Sequence, residues 1–347
     1  MTAGGVTPVS DADQPVLDHL DRLTDERGLF EHARHAIPRR EHGYCVDDAA
    51  RGLVVMCHEP EPGPTARRLA RCYLAFVLGA LDPTGACHNR MAVSGQWRDE
   101  TGTGDWWGRA LWGLGAAAAS APTPGMRARA LGGFRIAAQR RSPHLRSMSF
   151  AALGAAELLS VRPDELAARA LLTDMLAVVG RPRIGDPGWP WPEERLSYAN
   201  ASIAEALIVA GDALPDESAL NRGLNLLDFL LRTQTRDGHL SVTPAGGRGR
   251  GDAGPGFDQQ PIEVSALADA CGSAFRITRQ PSWLTGVDLA WDWFGGDNDS
   301  ATPMFDPRTG GGYDGLERHG RNLNQGAEST LAMLATAQQA RRLSELE

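Results

Sequence analysis

The sequence predicts an all-α protein, an (α/α)6 toroid of six helical hairpins with about twelve helices, and three observations carry that expectation. Ala/Leu-rich segments with apolar residues at helical spacing fill most of the chain, while the alternation that marks strands is almost absent. The connections alternate, one short and the next usually long and polar. The helices that open after the polar loops, near residues 47, 105, 147, 198, 261 and 324, are apolar on most faces. A helix apolar nearly all round is a buried one. Their starts lie 42 to 63 residues apart, the length of a helical hairpin plus a decorated loop. Six inner helices ringed by six outer ones satisfy all three observations.

Taken in order, residues 1 to 13 read as disordered and 14 to 347 as one domain, since no composition break marks a boundary. Val16, Leu17, Leu20 and Leu23 make a first helix from Gln14 to Thr24. A loop rich in histidine follows, and Asp47, read as an N-cap, opens the helix to Cys57. The Pro/Gly run at 60 to 64 ends it, and 65 to 80 is helical again. After a loop at 82 to 104, Asp105 to Ser120 is an Ala/Leu/Trp helix. Further helices are expected at 125 to 141, 147 to 159 and 164 to 179, then, past the loop at 181 to 197, at 198 to 213 and 216 to 233. A Gly-rich loop at 236 to 260 leads to helices at 261 to 277 and 281 to 295. The last helix, 324 to 342, follows a fourth long loop.

The stretch from Phe257 to Ala270 shows how these loops meet the helices. Polar residues run directly into an apolar helix; Pro261 suits the first helical position, and Gln260 sits near the cap. The same logic recurs at Gly43 to Asp48, Gly102 to Trp107, Trp189 to Asn200 and Tyr313 to Glu328. If buried helices open with polar residues at one end of the ring, their first turns meet in one polar pocket.

Composition excludes several classes of function. No run of about 18 apolar residues exists, so no membrane helix is expected, and the first 15 residues lack the basic and apolar regions of a signal peptide. A net charge of −8 without a basic block argues against nucleic acid. Five cysteines (45, 57, 72, 87 and 271) without a CxxC point to free thiols and a cytoplasmic protein. All 35 basic residues are arginine, so a Schiff-base lysine and a phosphate loop with its lysine are both excluded. His32, His35 and His42 match no zinc spacing, Asp297-Asn298-Asp299 lacks the glycine and distal glutamate of a calcium loop, and no GxSxG occurs. No metal or other cofactor is expected.

Residues 18 to 53, from Asp18-His19-Leu20 through Gly43-Tyr44-Cys45-Val46-Asp47-Asp48-Ala49-Ala50-Arg51, resemble the opening of a bacterial helical family often fused to, or found beside, glycosyltransferases. The segments Thr103 to Trp112, Phe257 to Asp269, and Gly311 to Gly315 through Asn324 to Thr330 resemble it as well. The match spans nearly the whole chain from about residue 16. That family is itself similar to six-hairpin glycosidases. The resemblance therefore implies an (α/α)6 fold and carbohydrate chemistry, with a glycosyltransferase as a candidate partner.

Glycoside hydrolysis needs two carboxylic acids flanking a sugar. The carboxylates at the loop-to-helix junctions are Asp47, Asp48, Asp105, Glu193, Glu194, Asp258, Glu263, Asp314 and Glu328. The plainer reading makes Asp47 and Asp105 caps and Glu263 part of a capping box with Gln260. In a six-hairpin ring the second inner helix lies opposite the fifth, which sets Asp105 across from Asp258 and Glu263. Asp105 and Glu263 are therefore the expected catalytic pair, with Asp48 the substitute. Tyr44, Trp97, Trp106, Trp107, Trp189, Trp191, Tyr198 and Tyr313 are expected to offer flat platforms to sugar rings, whereas Trp112, Trp283, Trp291 and Trp293 read as core. Arg51 and Arg109, one turn inside their helices, suit sugar hydroxyls or bidentate pairing with a carboxylate. Asn200, Gln259, Gln260, Asn324 and Gln325 suit hydroxyls. The expected activity is hydrolysis of an oligo- or polysaccharide, inverting by analogy with wide toroid clefts. A sugar epimerase, a phosphorylase, or a glycan-binding partner of a glycosyltransferase without turnover are the alternatives. An epimerase should show paired histidines where the inner helices here open with carboxylates.

Overall fold

The computed structural model describes residues 16 to 179 and 188 to 344. The N-terminal stretch read as disordered and the start of the 181 to 197 loop lie outside the described residues. Among the described residues the chain forms twelve α-helices and twelve strands of two residues each. The inner helices are α2 (Val46–His58), α4 (Asp105–Ser120), α6 (Leu145–Val161), α8 (Ala201–Ala213), α10 (Pro261–Thr278) and α12 (Ala327–Ser344). Each packs on the next, and α12 packs back on α2, which closes the ring. The outer helices are α1 (Asp18–Arg22), α3 (Pro64–Ala80), α5 (Pro124–Ala137), α7 (Leu166–Val179), α9 (Glu217–Gln234) and α11 (Ser282–Gly295). The (α/α)6 expectation holds, with every inner helix starting within three residues of its expected position.

The boundaries follow local chemistry. Pro64, Pro124 and Pro261 stand in the first turns of α3, α5 and α10, where a missing N–H costs nothing. Thr123 and Asp216 cap α5 and α9 with their side chains. Gln260 is the cap residue of α10, as expected. Asp47 is not a cap: α2 begins one residue earlier, Cys45 holds the cap position in extended conformation, and Asp47 lies in the first turn with its side chain turned to arginines.

The twelve short strands form six antiparallel pairs, all in the loops. Two of these pairs join different loops: Tyr44–Cys45 (β3) pairs with Arg90–Met91 (β4), and Arg195–Leu196 (β5) with Arg248–Gly249 (β8). They lace the long loops together above the N-terminal ends of the inner helices. Two-residue strands carry no legible alternation, so the sequence shows only loops there.

The core lies between the two rings of helices. Its closest backbone approach is between α4 and α6. A Cβ added at Gly115 would sit 2.1 Å from the Gly154 carbonyl oxygen, and one at Gly154 would sit 2.2 Å from that of Leu111. At the top of the same pair, a Cβ at Gly108 would meet the Ser147 carbonyl at 2.2 Å. Three glycines thus let α4 and α6 touch backbone to backbone and fix the height of Asp105 against Ser147. Gly154→Ala should cost about 1–3 kcal/mol, the range for forced overpacking. Gly132→Ala, on the open face of α5 with nothing within 4 Å of its Cβ, should stabilise by about 0.5–1 kcal/mol. Urea unfolding of the two variants checks both, and a tolerated Gly154→Ala would mean that the helices do not meet as described.

Candidate active site

Two charged assemblies occupy the N-terminal ends of the inner helices. The first is an arginine knot. Arg51, one turn into α2, reaches Asp48 at 2.6 Å, Asp47 at 2.9 Å and Glu328 of α12 at 2.7 Å. Arg109, one turn into α4 and buried, approaches the other oxygen of Asp47 at 2.8 Å. That contact is ionic and lacks the alignment of a hydrogen bond. The Arg109 guanidinium also lies 3.9 Å above the Phe150 ring. Burial works against the charge of Arg51, but Asp47, Glu328 and Asp48 together outweigh it and its pKa rises. Arg109 goes the other way, lowered by burial and by Arg51. Asp48 is sealed, and burial lifts its pKa well above the usual carboxylate range against the pull of Arg51.

The second assembly is built on Arg146 of α6. Its guanidinium donates to the Tyr198 carbonyl at 2.7 Å, to Glu193 at 2.7 Å and to the Asn200 side-chain oxygen at 3.0 Å. Asn200 in turn donates through its backbone N–H and side-chain amide to the two oxygens of Glu263, at 3.0 and 2.9 Å. On the other flank, the Tyr198 hydroxyl donates to Asp105 at 2.5 Å and Ser147 to its second oxygen at 2.8 Å. Asp105 and Glu263, expected to face each other across the ring, are thus linked along its wall through α6 and the start of α8.

The two members of that pair have different surroundings. Asp105 borders an open cavity of about 580 Å³ with Trp106, Arg146, Glu193 and Tyr198. Glu263 is 2% exposed and both its oxygens are committed to Asn200. Burial pushes its pKa up to about 7, against the Asn200 hydrogen bonds. The capping box with Gln260 does not form through its side chain, which holds the start of α8 instead. Asp314, half-buried above α12, accepts from the Gly326 N–H at 2.7 Å and from Ser329 at 2.9 Å through one oxygen, and burial raises its pKa.

The remaining expected residues divide. Glu328, 39% exposed at its side chain, belongs to the knot. Trp106 borders the Asp105 cavity and donates to the Cys87 carbonyl at 2.7 Å. Trp97 is half-buried on His88, with ring centres 5.0 Å apart. Tyr313 is half-buried beneath Arg321. Trp189 packs edge-on to Phe229 and donates to the Glu193 carbonyl. Six do not suit the role expected of them, because packing encloses them; Asn200, buried with its amide on Glu263, is one. Trp191 is fully buried. Tyr44 is buried on Phe30 with its hydroxyl on Asp25. Gln259 spends its amide on Gly256, Asp299 and Trp293. Gln325 is buried, with its carbonyl accepting from His19. Trp107 is likewise buried, its indole N–H on the Gly85 carbonyl. Asp258 and Glu194 are exposed. Asn324 holds the His35 N–H, and Gln260 is a cap. The sequence reading passed over Arg146 and Ser147, because it opened the third inner helix at 147 and found no polar loop motif before it. An arginine in the first turn of an inner helix, close to the positions singled out at Arg51 and Arg109, was the available signal.

A narrow axial cavity of about 50 Å³ runs from Arg51, Arg109 and Glu328 between α2, α10 and α12 to His58, Trp112 and Arg342 at the opposite end of the ring. Trp112, expected in the core, therefore stands on the axis.

Solved structures with this architecture include a sugar epimerase from a ruminal bacterium, 14% identical over 96% of this chain and 98% of that one, with a TM-score of 0.70. A cellobiose 2-epimerase from Bacillus thermoamylovorans is 12% identical over 94% and 96%, with a TM-score of 0.71. The family 76 α-mannanase of Bacteroides thetaiotaomicron is 12% identical over 95% and 94%, at 0.65. No family model and no curated protein sequence matches significantly. These likenesses establish the (α/α)6 fold. Among the described residues no helix is long and apolar enough to cross a membrane.

Two outcomes test this geometry. Arg51→Met would leave Asp47, Asp48 and Glu328 without their shared cation and should destabilise by about 3–5 kcal/mol, read by urea unfolding. For Glu263 the folded pKa lies above the ordinary 4.5. Its contribution to stability is therefore complete below that value and is lost as pH rises through about 7. Wild type should gain on Glu263→Gln by up to about 3 kcal/mol between pH 8 and pH 5. A difference independent of pH would show that the glutamate is ionised in the fold.

Proposed function

We propose that this chain is a glycoside hydrolase acting on an oligo- or polysaccharide, with Asp105 as the carboxylate that meets the substrate. One observation carries the reading. The inner helices present carboxylates at their N-terminal ends, and Asp105 is set among Trp106, Tyr198, Glu193 and Arg146 in an open cavity. Trp106 and Tyr198 supply apolar surface for a sugar ring. Tyr198 and Ser147 fix both Asp105 oxygens, which aims the carboxylate and leaves remaining lone pairs for a water or a sugar carbon.

The proton donor must be a neutral carboxylic acid within reach of the glycosidic oxygen. Burial keeps Asp48, Glu263 and Asp314 toward the neutral form. Asp48 and Glu263 are sealed, whereas Asp314 is only half-buried and holds its structural hydrogen bonds through one oxygen. Asp314 is therefore our proposed acid, and Glu263 a positioning residue acting through Asn200 and Arg146. The knot of Asp47, Arg51, Arg109 and Glu328 would hold sugar hydroxyls. We assign the reaction as inverting, with water attacking the anomeric carbon as Asp105 takes its proton and Asp314 protonates the departing oxygen.

A second reading is favoured by a separate observation, the likeness to two sugar epimerases. His32 and His42 meet edge-on at 5.0 Å, with Glu31 3.6 Å from His32, in the loop before α2. Among the described residues, however, the axial cavity has His58 as its one histidine, at the far end.

An NMR time course with defined α- and β-linked gluco- and manno-oligosaccharides tests both readings. Hydrolysis releases a new reducing end, and the first anomer to appear reports inversion or retention. Epimerisation changes the reducing-end sugar without cleavage. Binding without turnover would favour a glycan-binding partner of a glycosyltransferase. Asp105→Asn and Asp314→Asn should each lower kcat about 10²–10⁴-fold, the usual loss for a general acid or base. Full activity in Asp105→Asn would overturn the assignment.

A further inference from the structure

The ring has a second mouth. At the C-terminal ends of the inner helices a cavity of about 590 Å³ opens, at the opposite end from Asp105. That volume lies within the range of small-molecule sites. Its walls are partly apolar, from Leu153, Leu159, Val209 and Ile277, with Trp112 at the junction with the axial cavity. Its polar groups are organised. Glu157 is fully engaged, accepting from Trp112 at 2.8 Å and pairing with His58 at 2.9 Å. Arg276 donates to Ser273 at 2.9 Å, and Ser273 to one oxygen of Glu205 at 2.7 Å. Gln339 donates to one oxygen of Asp269 at 2.7 Å.

Two members keep an unpaired buried oxygen, Gln339 and Glu205, and Glu205 carries the ionisable group. It is 7% exposed, and its second oxygen has no hydrogen-bond partner. A buried polar atom left unpaired is costly, and native chains seldom leave one without a use. Burial and the neighbouring Asp269 raise its pKa, which favours the neutral acid, a group that both donates and accepts. Asp269 beside it is an acceptor, and Arg276 and Arg342 are donors. The charges nearly cancel: carboxyls of Glu157, Glu205, Asp212 and Asp269 stand against Arg169, Arg276 and Arg342. Such a chamber gives no net attraction to a strongly charged ligand. It suits a molecule whose groups both donate and accept, with apolar faces between them.

We infer that this mouth is a second ligand site, for a neutral polyhydroxylated molecule, a free sugar or a polyol, bound through Glu205, Asp269, Arg276 and Arg342. The site is separate from the proposed catalytic face and does not depend on which reaction occurs there.

Calorimetry and saturation-transfer NMR with glucose, mannose, cellobiose and sorbitol test the inference; sorbitol separates a polyol site from one for sugar rings. At least one probe should bind wild type. Glu205→Gln should weaken that probe at least about tenfold, as should Ser160→Trp, placed at the exposed rim to fill the mouth. Asp105→Asn should leave it unchanged. Ser160→Trp keeps the test decisive if Glu205→Gln fails to fold. Absence, for all four probes, of any binding component that Ser160→Trp removes would overturn the inference, as would binding lost only in Asp105→Asn.

Discussion

The fold depends on closing a ring whose last helix must find its first. Five of the six inner contacts join helices one hairpin apart in sequence, but α12 meets α2 across nearly the whole chain. This seam is held by polar groups along its length. Arg51 binds Glu328 at the top; Gln338 donates to the Val55 carbonyl at 2.9 Å and to Glu59 at 3.0 Å; Arg342 donates to the His58 carbonyl at the bottom. The segment before α2 repeats the tie, with Gln325 and Ala327 N–H groups on the His35 and Glu31 carbonyls. Directional bonds define a register that apolar packing between Ala-rich helices would leave loose, and the same bonds place Asp47 and Glu328 side by side at the mouth.

Burial then sorts the carboxylates by what each can do. Asp105 keeps two short hydrogen bonds and access to solvent. Glu263 gives both oxygens to Asn200 and so fixes the start of α8 and the ring of Tyr198 beside it. Arg146 joins these environments, its guanidinium 4.7 Å from the Tyr198 ring centre. A change at Glu263 therefore reaches Asp105 through Asn200, Arg146 and Tyr198 without any contact between the two carboxylates. A pair of acids at opposite inner helices need not act as a catalytic pair. One can be the support on which the other is aimed.

The toroid was legible because its signals are periodic and repeated. Helices apolar on most faces, such as those from Val46, Asp105 and Pro261, read as inner ones, and the loop motifs before them announce one shared face. The site was legible by residue type and less so by role. Arg51, Arg109 and Glu328 gather around Asp47, and Asp105 and Trp106 border a separate cavity at the same end of the ring. Tyr44 and Trp191 stand in polar loops yet are buried, since the loops fold back over the helix ends and join the main core, Tyr44 stacking on Phe30 and reaching Phe76 of α3. Arg146 escaped notice because its partners, Glu193, Tyr198 and Asn200, lie some 50 residues away in sequence, and only the fold brings them to it.

The absence of lysine has a different meaning at these positions than elsewhere. On the surface the choice of arginine matters little to stability. Inside the ring it decides whether the site is charged at all. Burial depresses the pKa of Arg109, and a guanidinium starts high enough to remain a cation under that pressure, where a buried ammonium loses its proton. Arg51 makes three ion pairs at once with a planar fork, and Arg146 serves three acceptors along the loop that leads into α8. A lysine offers one point charge to such a group of acceptors. The arginines thus hold Asp47 and Glu328 beside each other across the seam between α2 and α12, an arrangement of several directed contacts that a single ammonium cannot make.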